Sequence, residues 1–204
     1  MGLAGYVLAG GGSTRFGRDK ALVELGGKPM LLRMADLLRT AEATGAIVGP
    51  PERYAEFGLP MVADRWPGTG PLGGIATALF QTAETMPVRE WNLILGCDLP
   101  LLTREWLKYL TDRARASRAH AIVPRTRGGY EPLCACYRTT AAPTLAAAIG
   151  RGQLKITDAL SALEVEVLDE PHWKRFDSAG RLFWNMNTSA EYEAIRQAFG
   201  ETQG

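Results

Sequence analysis

Histidine and cysteine are scarce: two of one (His120, His172) and three of the other (Cys97, Cys134, Cys136) in 204 residues. So small and odd a cysteine set builds no disulfide framework and suits a reducing cytosol. The histidines stand at spacings unrelated to Cys134 and Cys136, so no zinc set is completed. The cysteines read instead as small buried hydrophobes. An excess of either charge is also missing. The 23 Lys plus Arg against 22 Asp plus Glu leave +1, too balanced for a broadly basic nucleic-acid binder or for an acidic tail. No run approaches the roughly 18 apolar residues of a membrane span. The opening MGLAGYVLAGGG lacks the basic region of a secretory signal. Nucleic-acid and membrane partners are thereby excluded, and a cytoplasmic protein is expected. With no repeat, low-complexity tract or linker, residues 1–204 are expected to form one domain.

What is present is glycine, 23 residues of it, set among short apolar runs that alternate with helix-like stretches. That alternation predicts α/β architecture with a mainly parallel sheet. Tyr6–Ala9 reads as a buried strand ended by Gly10-Gly11-Gly12. Met30, Leu31, Met34, Leu37 and Leu38 recur at helical spacing. Further strands are expected at 46–48, 61–63 and 93–95, with a largely buried helix over 72–83. Strands at 121–123 and 133–137 are predicted to run antiparallel around Gly128-Gly129. The last helix carries Tyr192, Ile195 and Phe199. Residues 164–182 carry no assignable role and read as a surface segment.

Four places carry chemistry. In the first, Leu8-Ala9-Gly10 opens into a glycine-rich loop in which Arg15 and Lys20 supply positive charge for a polyphosphate. Neither the Walker spacing nor the dinucleotide fingerprint fits, because Arg18-Asp19 and Arg15 occupy the deciding positions. The second, Gly68-Thr69-Gly70-Pro71-Leu72-Gly73-Gly74, contains a formal G-x-G-x-x-G match but follows Trp66-Pro67 rather than a strand. A structural turn explains it equally well. The third is Asp98, at the carboxyl end of an apolar strand, where open α/β sheets bind ligands and where a carboxylate can hold Mg²⁺. In the fourth, Asn185-Met186-Asn187-Thr188, Thr188 and Glu191 fit a capping box, and the two asparagines share one face of an incoming strand.

Together these residues resemble the molybdenum cofactor guanylyltransferases, the MobA family. The matching pattern runs from Leu8-Ala9-Gly10-Gly11 through Arg15, Lys20-Ala21 and Gly27-Lys28-Pro29 to Asp64 and Gly70–Gly74. It continues through Cys97–Pro100 and Glu131-Pro132-Leu133 to Asn185–Thr188. The resemblance implies a three-layer α/β/α Rossmann-like nucleotidyltransferase fold with a mainly parallel mixed sheet. It implies transfer of GMP from GTP to the phosphate of Mo-molybdopterin, with Mg²⁺ as cofactor. It also implies a protein that delivers molybdopterin and an apoenzyme that accepts the product. Residue by residue, Leu8, Ala9 and Gly10 resemble the guanine and ribose cradle, and Arg15 and Lys20 the phosphate contacts. Asp64 resembles a nucleotide contact, Asp98 the ligand of Mg²⁺ and GTP, and Asn185 and Asn187 the pterin-side residues. The family's frequent Asn after the second strand is replaced here by Gly49-Pro50-Pro51. Relatives using CTP, or another nucleotide with a sugar phosphate, are the alternative. Joint retention of Arg15, Lys20 and Asp98 argues against a non-catalytic binding module.

Overall fold

Leu3–Leu8 (β1) pairs in parallel, residue for residue, with Ala43–Val48, and on its other edge with Trp91–Gly96. The computed structural model describes residues 3–10 and 19–203; Arg15 lies outside them. After β1 come a short hairpin, β2 (Glu24–Leu25) and β3 (Lys28–Pro29), then α1 (Met30–Thr40) and β4 (Ala43–Val48). Next are α2 (Pro51–Tyr54), β5 (Met61–Val62), α3 (Pro71–Glu84) and β6 (Trp91–Gly96). Then follow α4 (Arg104–Ala116), β7 (Ala121–Thr126), β8 (Gly129–Tyr130) and β9 (Cys134–Arg138). The chain finishes with α5 (Ala142–Gly150), α6 (Ile156–Leu160), β10 (Val165–Leu168), α7 (Glu170–Trp173) and α8 (Ser189–Gln203).

The main sheet runs β10-β7-β9-β6-β1-β4-β5, with β8 paired beside β7. Within that path β9 alone is reversed, pairing antiparallel with both β6 and β7. The side-chain period of two sorts each strand between two cores. Leu3, Val7, Leu93, Leu95, Cys134 and Cys136 face the layer built by α1, α4 and α8, with Met34, Trp106 and Ile195. Ala4, Tyr6, Ile94, Ala135 and Tyr137 face α3 and α5, with Ile75, Leu79 and Leu145. Each fully buried leucine-sized side chain contributes roughly 1.5–3 kcal/mol, so two such faces hold the three layers together without cross-links. Among the described residues no helix is long and apolar enough to cross a membrane.

The expected strands and helices are present, most of them longer than predicted, and the antiparallel pair is found. The turn at Gly128-Gly129 joins β7 to the short β8 before the chain reaches β9. Two expectations are corrected. Residues 164–182 are not merely surface: β10 forms an edge of the sheet, paired in parallel with β7 from Val165↔Ala121 to Leu168↔Pro124. Asn185 and Asn187 do not sit on a strand, because residues 183–188 are irregular.

Candidate active site

Strands β1, β4, β5 and β6 are mutually parallel, so their carboxyl ends converge on one edge of the sheet, where such folds bind ligands. A cleft of about 690 Å³ opens there, and Leu8, Ala9, Gly10, Lys20, Asp64 and Asp98 all line it. Asn187 is tied to Lys20 at the cleft. Asn185 does not line it; its carboxamide donates to the Phe183 carbonyl at 3.4 Å.

One wall is main chain pressed against main chain. The Ala9 amide continues the ladder to the Val48 carbonyl at 2.9 Å, and the Gly49 amide reaches the Val62 carbonyl at 3.1 Å. Gly10 has φ +96°, and a Cβ there would stand 2.6 Å from Pro50 Cδ. A Cβ on Gly49 would lie 2.6 Å from the Ala9 carbonyl oxygen. This contact accounts for Gly49-Pro50 where the family often has Asn. The two loops are too close for a side chain, and the wall presents backbone instead.

The glycine turn before α3 forms the opposite lip. Gly70 adopts φ 69° and ψ −159° as N-cap, and Pro71 follows in the first turn, where its missing N–H costs nothing. Gly74 lets α3 approach β1, because a Cβ there would be 3.1 Å from a Leu8 methyl. The formal G-x-G-x-x-G match is therefore a helix-start and packing device that borders the cleft. Asp64 is fixed from α3: its Oδ1 accepts from the Thr77 hydroxyl at 2.9 Å and from the Trp66 amide at 3.0 Å.

The charged centre lies where β6 ends. Asp98 is half-buried, and its Oδ1 is shut off from solvent with no hydrogen-bond partner among the described residues. Burial raises its pKa above the usual carboxylate range, with the Lys20 ammonium pulling the other way. Lys20 starts a short 3₁₀ turn, Lys20–Leu22, capped by Asp19, and its ammonium donates to Asn187 Oδ1 at 2.5 Å. The Met186 amide donates to the Asp98 carbonyl oxygen at 2.9 Å, so the Asn185–Thr188 segment straps the Asp98 loop. Cys97 adjoins Asp98, but burial pushes its thiol pKa far up, which excludes a thiolate nucleophile.

Two further contributors have no role assigned by the sequence patterns, although Glu131 belongs to the matching motif. Glu131, before β9, is half-buried, accepts from the Thr126 hydroxyl at 3.0 Å, and has its pKa raised to about 7 by burial, with Asp98 adding to the rise. Tyr54 is buried and donates to Asp19 Oδ2 at 2.7 Å, bracing the segment that carries Lys20. Nothing in the sequence pairs residues 19 and 54, although Asp19 belongs to the opening motif.

The comparisons with known proteins agree with this geometry. The family profile of the MobA-like NTP transferase domain matches residues 5–167. A probable molybdenum cofactor guanylyltransferase of Carboxydothermus hydrogenoformans is 31% identical over 95% of this chain and 94% of its own. One of Pyrococcus furiosus is 32% identical over 94% and 95%. The crystal structure of molybdopterin-guanine dinucleotide biosynthesis protein A from Archaeoglobus fulgidus superposes with a TM-score of 0.82 at 26% identity, covering 97% of this chain and 99% of that one. A nucleotidyl transferase from Methanothermobacter, 15% identical over 98% of both chains with a TM-score of 0.73, shares the fold. The cleft at the carboxyl ends of β1 and β6, its glycine lips and these likenesses over nearly the full length agree: the chain belongs to the MobA-like NTP transferase family.

Proposed function

We propose that the protein transfers GMP from GTP to the terminal phosphate of Mo-molybdopterin, giving molybdopterin guanine dinucleotide and pyrophosphate. The observation that carries this reading is the orphaned Asp98 Oδ1 at the end of β6, beside Lys20 in a nucleotide-sized cleft. The relatives named as molybdenum cofactor guanylyltransferases support the choice of substrates.

Mg²⁺ suits the donors present. Among the described residues no three His, Cys, Asp or Glu gather around one point, and Mg²⁺ is a hard cation content with one or two carboxylates plus phosphate oxygens and water. Asp98 would hold it, and the ion would supply charge stabilisation to the phosphates.

An oxygen of the acceptor phosphate attacks the α-phosphorus of GTP, the bond to the bridging oxygen breaks, and pyrophosphate leaves with the electron pair. The nucleophile is already anionic, so no protein base is required. The chain's task is positioning and charge neutralisation. Leu8, Ala9 and Gly10 cradle base and ribose with main chain, and Asp64, fixed by Thr77, contacts the nucleotide. Lys20 and Arg15 offset phosphate charge, while Asn185 and Asn187 belong to the pterin side. A protein that delivers molybdopterin and an acceptor apoenzyme complete the reading.

Mass detection of the guanine dinucleotide product from GTP, Mg²⁺ and molybdopterin tests it directly, with CTP, UTP and ATP in parallel. Product from GTP alone is expected. Equal product from CTP would overturn the base assignment, and no product with any nucleotide would overturn the reaction.

A further inference from the structure

We propose that Glu191 is a positioning residue for the transfer: acting through Asn187, its carboxylate sets where the Lys20 ammonium stands. The inference rests on the reading of Lys20 as a phosphate contact.

A capping box needs two reciprocal bonds, the N-cap amide donating to the N3 carboxylate and the N3 amide donating to the N-cap hydroxyl oxygen. Both are present. Glu191 Oε2 accepts from the Thr188 amide at 2.8 Å, and the Glu191 amide donates to Thr188 Oγ1 at 3.2 Å. The Thr188 hydroxyl also donates to Glu191 Oε2 at 3.1 Å, and one further bond reaches outside the motif: Glu191 Oε2 accepts from the Asn187 amide at 2.8 Å. It falls on the residue whose side-chain oxygen receives the Lys20 ammonium at 2.5 Å. The neighbouring amide, Met186, is spent on the Asp98 carbonyl oxygen at 2.9 Å. Two successive amides are thus anchored, one to the Asp98 loop and one to Glu191. The Asn187 carboxamide between them has a fixed backbone from which to hold Lys20.

Helix α8 is itself attached to the segment that follows Lys20. The Tyr192 hydroxyl donates to the Glu24 carbonyl at 2.9 Å. The Phe199 ring lies under the Arg33 guanidinium at 4.3 Å and against Gly26, where a Cβ would meet it at 2.7 Å. The hairpin β2–β3 therefore docks on the same helix whose first turn holds Asn187. Lys20 sits between these two attachments and the Asp19–Tyr54 bond behind it. Glu191 is exposed, so its substitution leaves the core intact.

The test is steady-state kinetics on the full chain with GTP, Mg²⁺ and molybdopterin. The variants are Glu191→Ala, Glu191→Gln, Thr188→Ala, Lys20→Ala and the double variant Lys20→Ala/Glu191→Ala. Glu191→Ala is expected to lower kcat/KM for GTP about tenfold, the size of one lost charge-assisted hydrogen bond. Glu191→Gln, whose amide oxygen still accepts, recovers most of it. Thr188→Ala removes the two hydroxyl bonds of the cap, to the Glu191 amide and to Glu191 Oε2, and keeps the Asn187 and Thr188 amide bonds to that oxygen. It lowers Tm as Glu191→Ala does, with kcat/KM held within about twofold, because the cap alone contributes only to stability. In the Lys20→Ala background, Glu191→Ala costs nothing further, since both variants remove one interaction. A full tenfold loss in that background, or an equal loss in Thr188→Ala, overturns the positioning role and leaves the proposed function standing. An inert Lys20→Ala removes the phosphate role of Lys20, and this inference with it.

Discussion

Asp98→Asn is expected to raise stability and abolish turnover in the same protein. The wild-type side chain keeps Oδ1 buried with no partner among the described residues, and an unsatisfied buried polar atom costs about 1–3 kcal/mol, more when it carries charge. Asparagine has the same shape and no charge. It removes the charged part of that penalty, which we put at about 1–2 kcal/mol. In a domain of this size 1 kcal/mol moves Tm by about 2–4 °C, so the ligand-free variant should melt roughly 2–8 °C higher. The pH dependence has a definite sign. Burial raises the Asp98 pKa in the folded state, so native protein holds that proton to higher pH than the unfolded chain does. Wild-type stability is fully present below the unfolded carboxylate range and is lost as pH rises through the folded pKa. The advantage of asparagine therefore widens between acidic and mildly alkaline pH. Turnover should fall at least about a hundredfold, near 3 kcal/mol in the barrier, because a preorganised charge contact is gone. Calorimetry in EDTA at two pH values, followed by turnover assays with Mg²⁺ and GTP, reads both effects. An Asp98→Asn protein that melts below wild type at alkaline pH, or turns over at the wild-type rate, refutes the reasoning.

Gly49→Ala places a methyl 2.6 Å from the Ala9 carbonyl. Overpacking of this kind costs about 1–3 kcal/mol, so a lower Tm and a raised KM for GTP are expected; unchanged values would show that the loops can separate freely. Thr77→Val removes the hydroxyl that fixes Asp64. We expect a loss of about 1–3 kcal/mol in denaturant titration and weaker GTP binding, and unaltered affinity would detach Asp64 from the nucleotide. Glu131→Gln should flatten the pH profile of Tm. The folded pKa near 7 lies above the ordinary glutamate value, so wild type loses stability as pH rises toward and through 7. After allowance for partial solvent screening the loss is on the order of 1–2 kcal/mol. An undiminished slope in the variant would assign the titration elsewhere.

The parallel half of the fold was legible because its strands are apolar runs ended by glycine or Asp98, and each change of period marks a boundary. The same simplicity puts Asp64 and Asp98 at strand ends, and both line the cleft together with Lys20. Three features were not legible, for separate reasons. β10 is four residues long and takes its partner, β7, from some 40 positions earlier in the chain, so no local pattern announces it. Asn185 and Asn187 have strand-like spacing, but the Met186–Asp98 bond bends the segment and sends the two carboxamides apart. Glu131 is visible in the sequence within the Glu131-Pro132-Leu133 motif, but its burial near Asp98 comes from the reversal of β9. Its burial is a property of topology, and sequence period does not encode it.

That reversal has a consequence for how the cleft can vary. In a wholly parallel sheet the carboxyl edge receives only the exits of strands. Here β9 delivers an entrance to that edge, where Leu133 lines the cleft, and the β7–β8 turn that precedes it is attached to the sheet at both ends. Residues can be added to or removed from the turn at Gly128-Gly129 without shifting the register of β6 or β1. That turn is thus free to change size, while the wall where Gly10 stands against Pro50 is not.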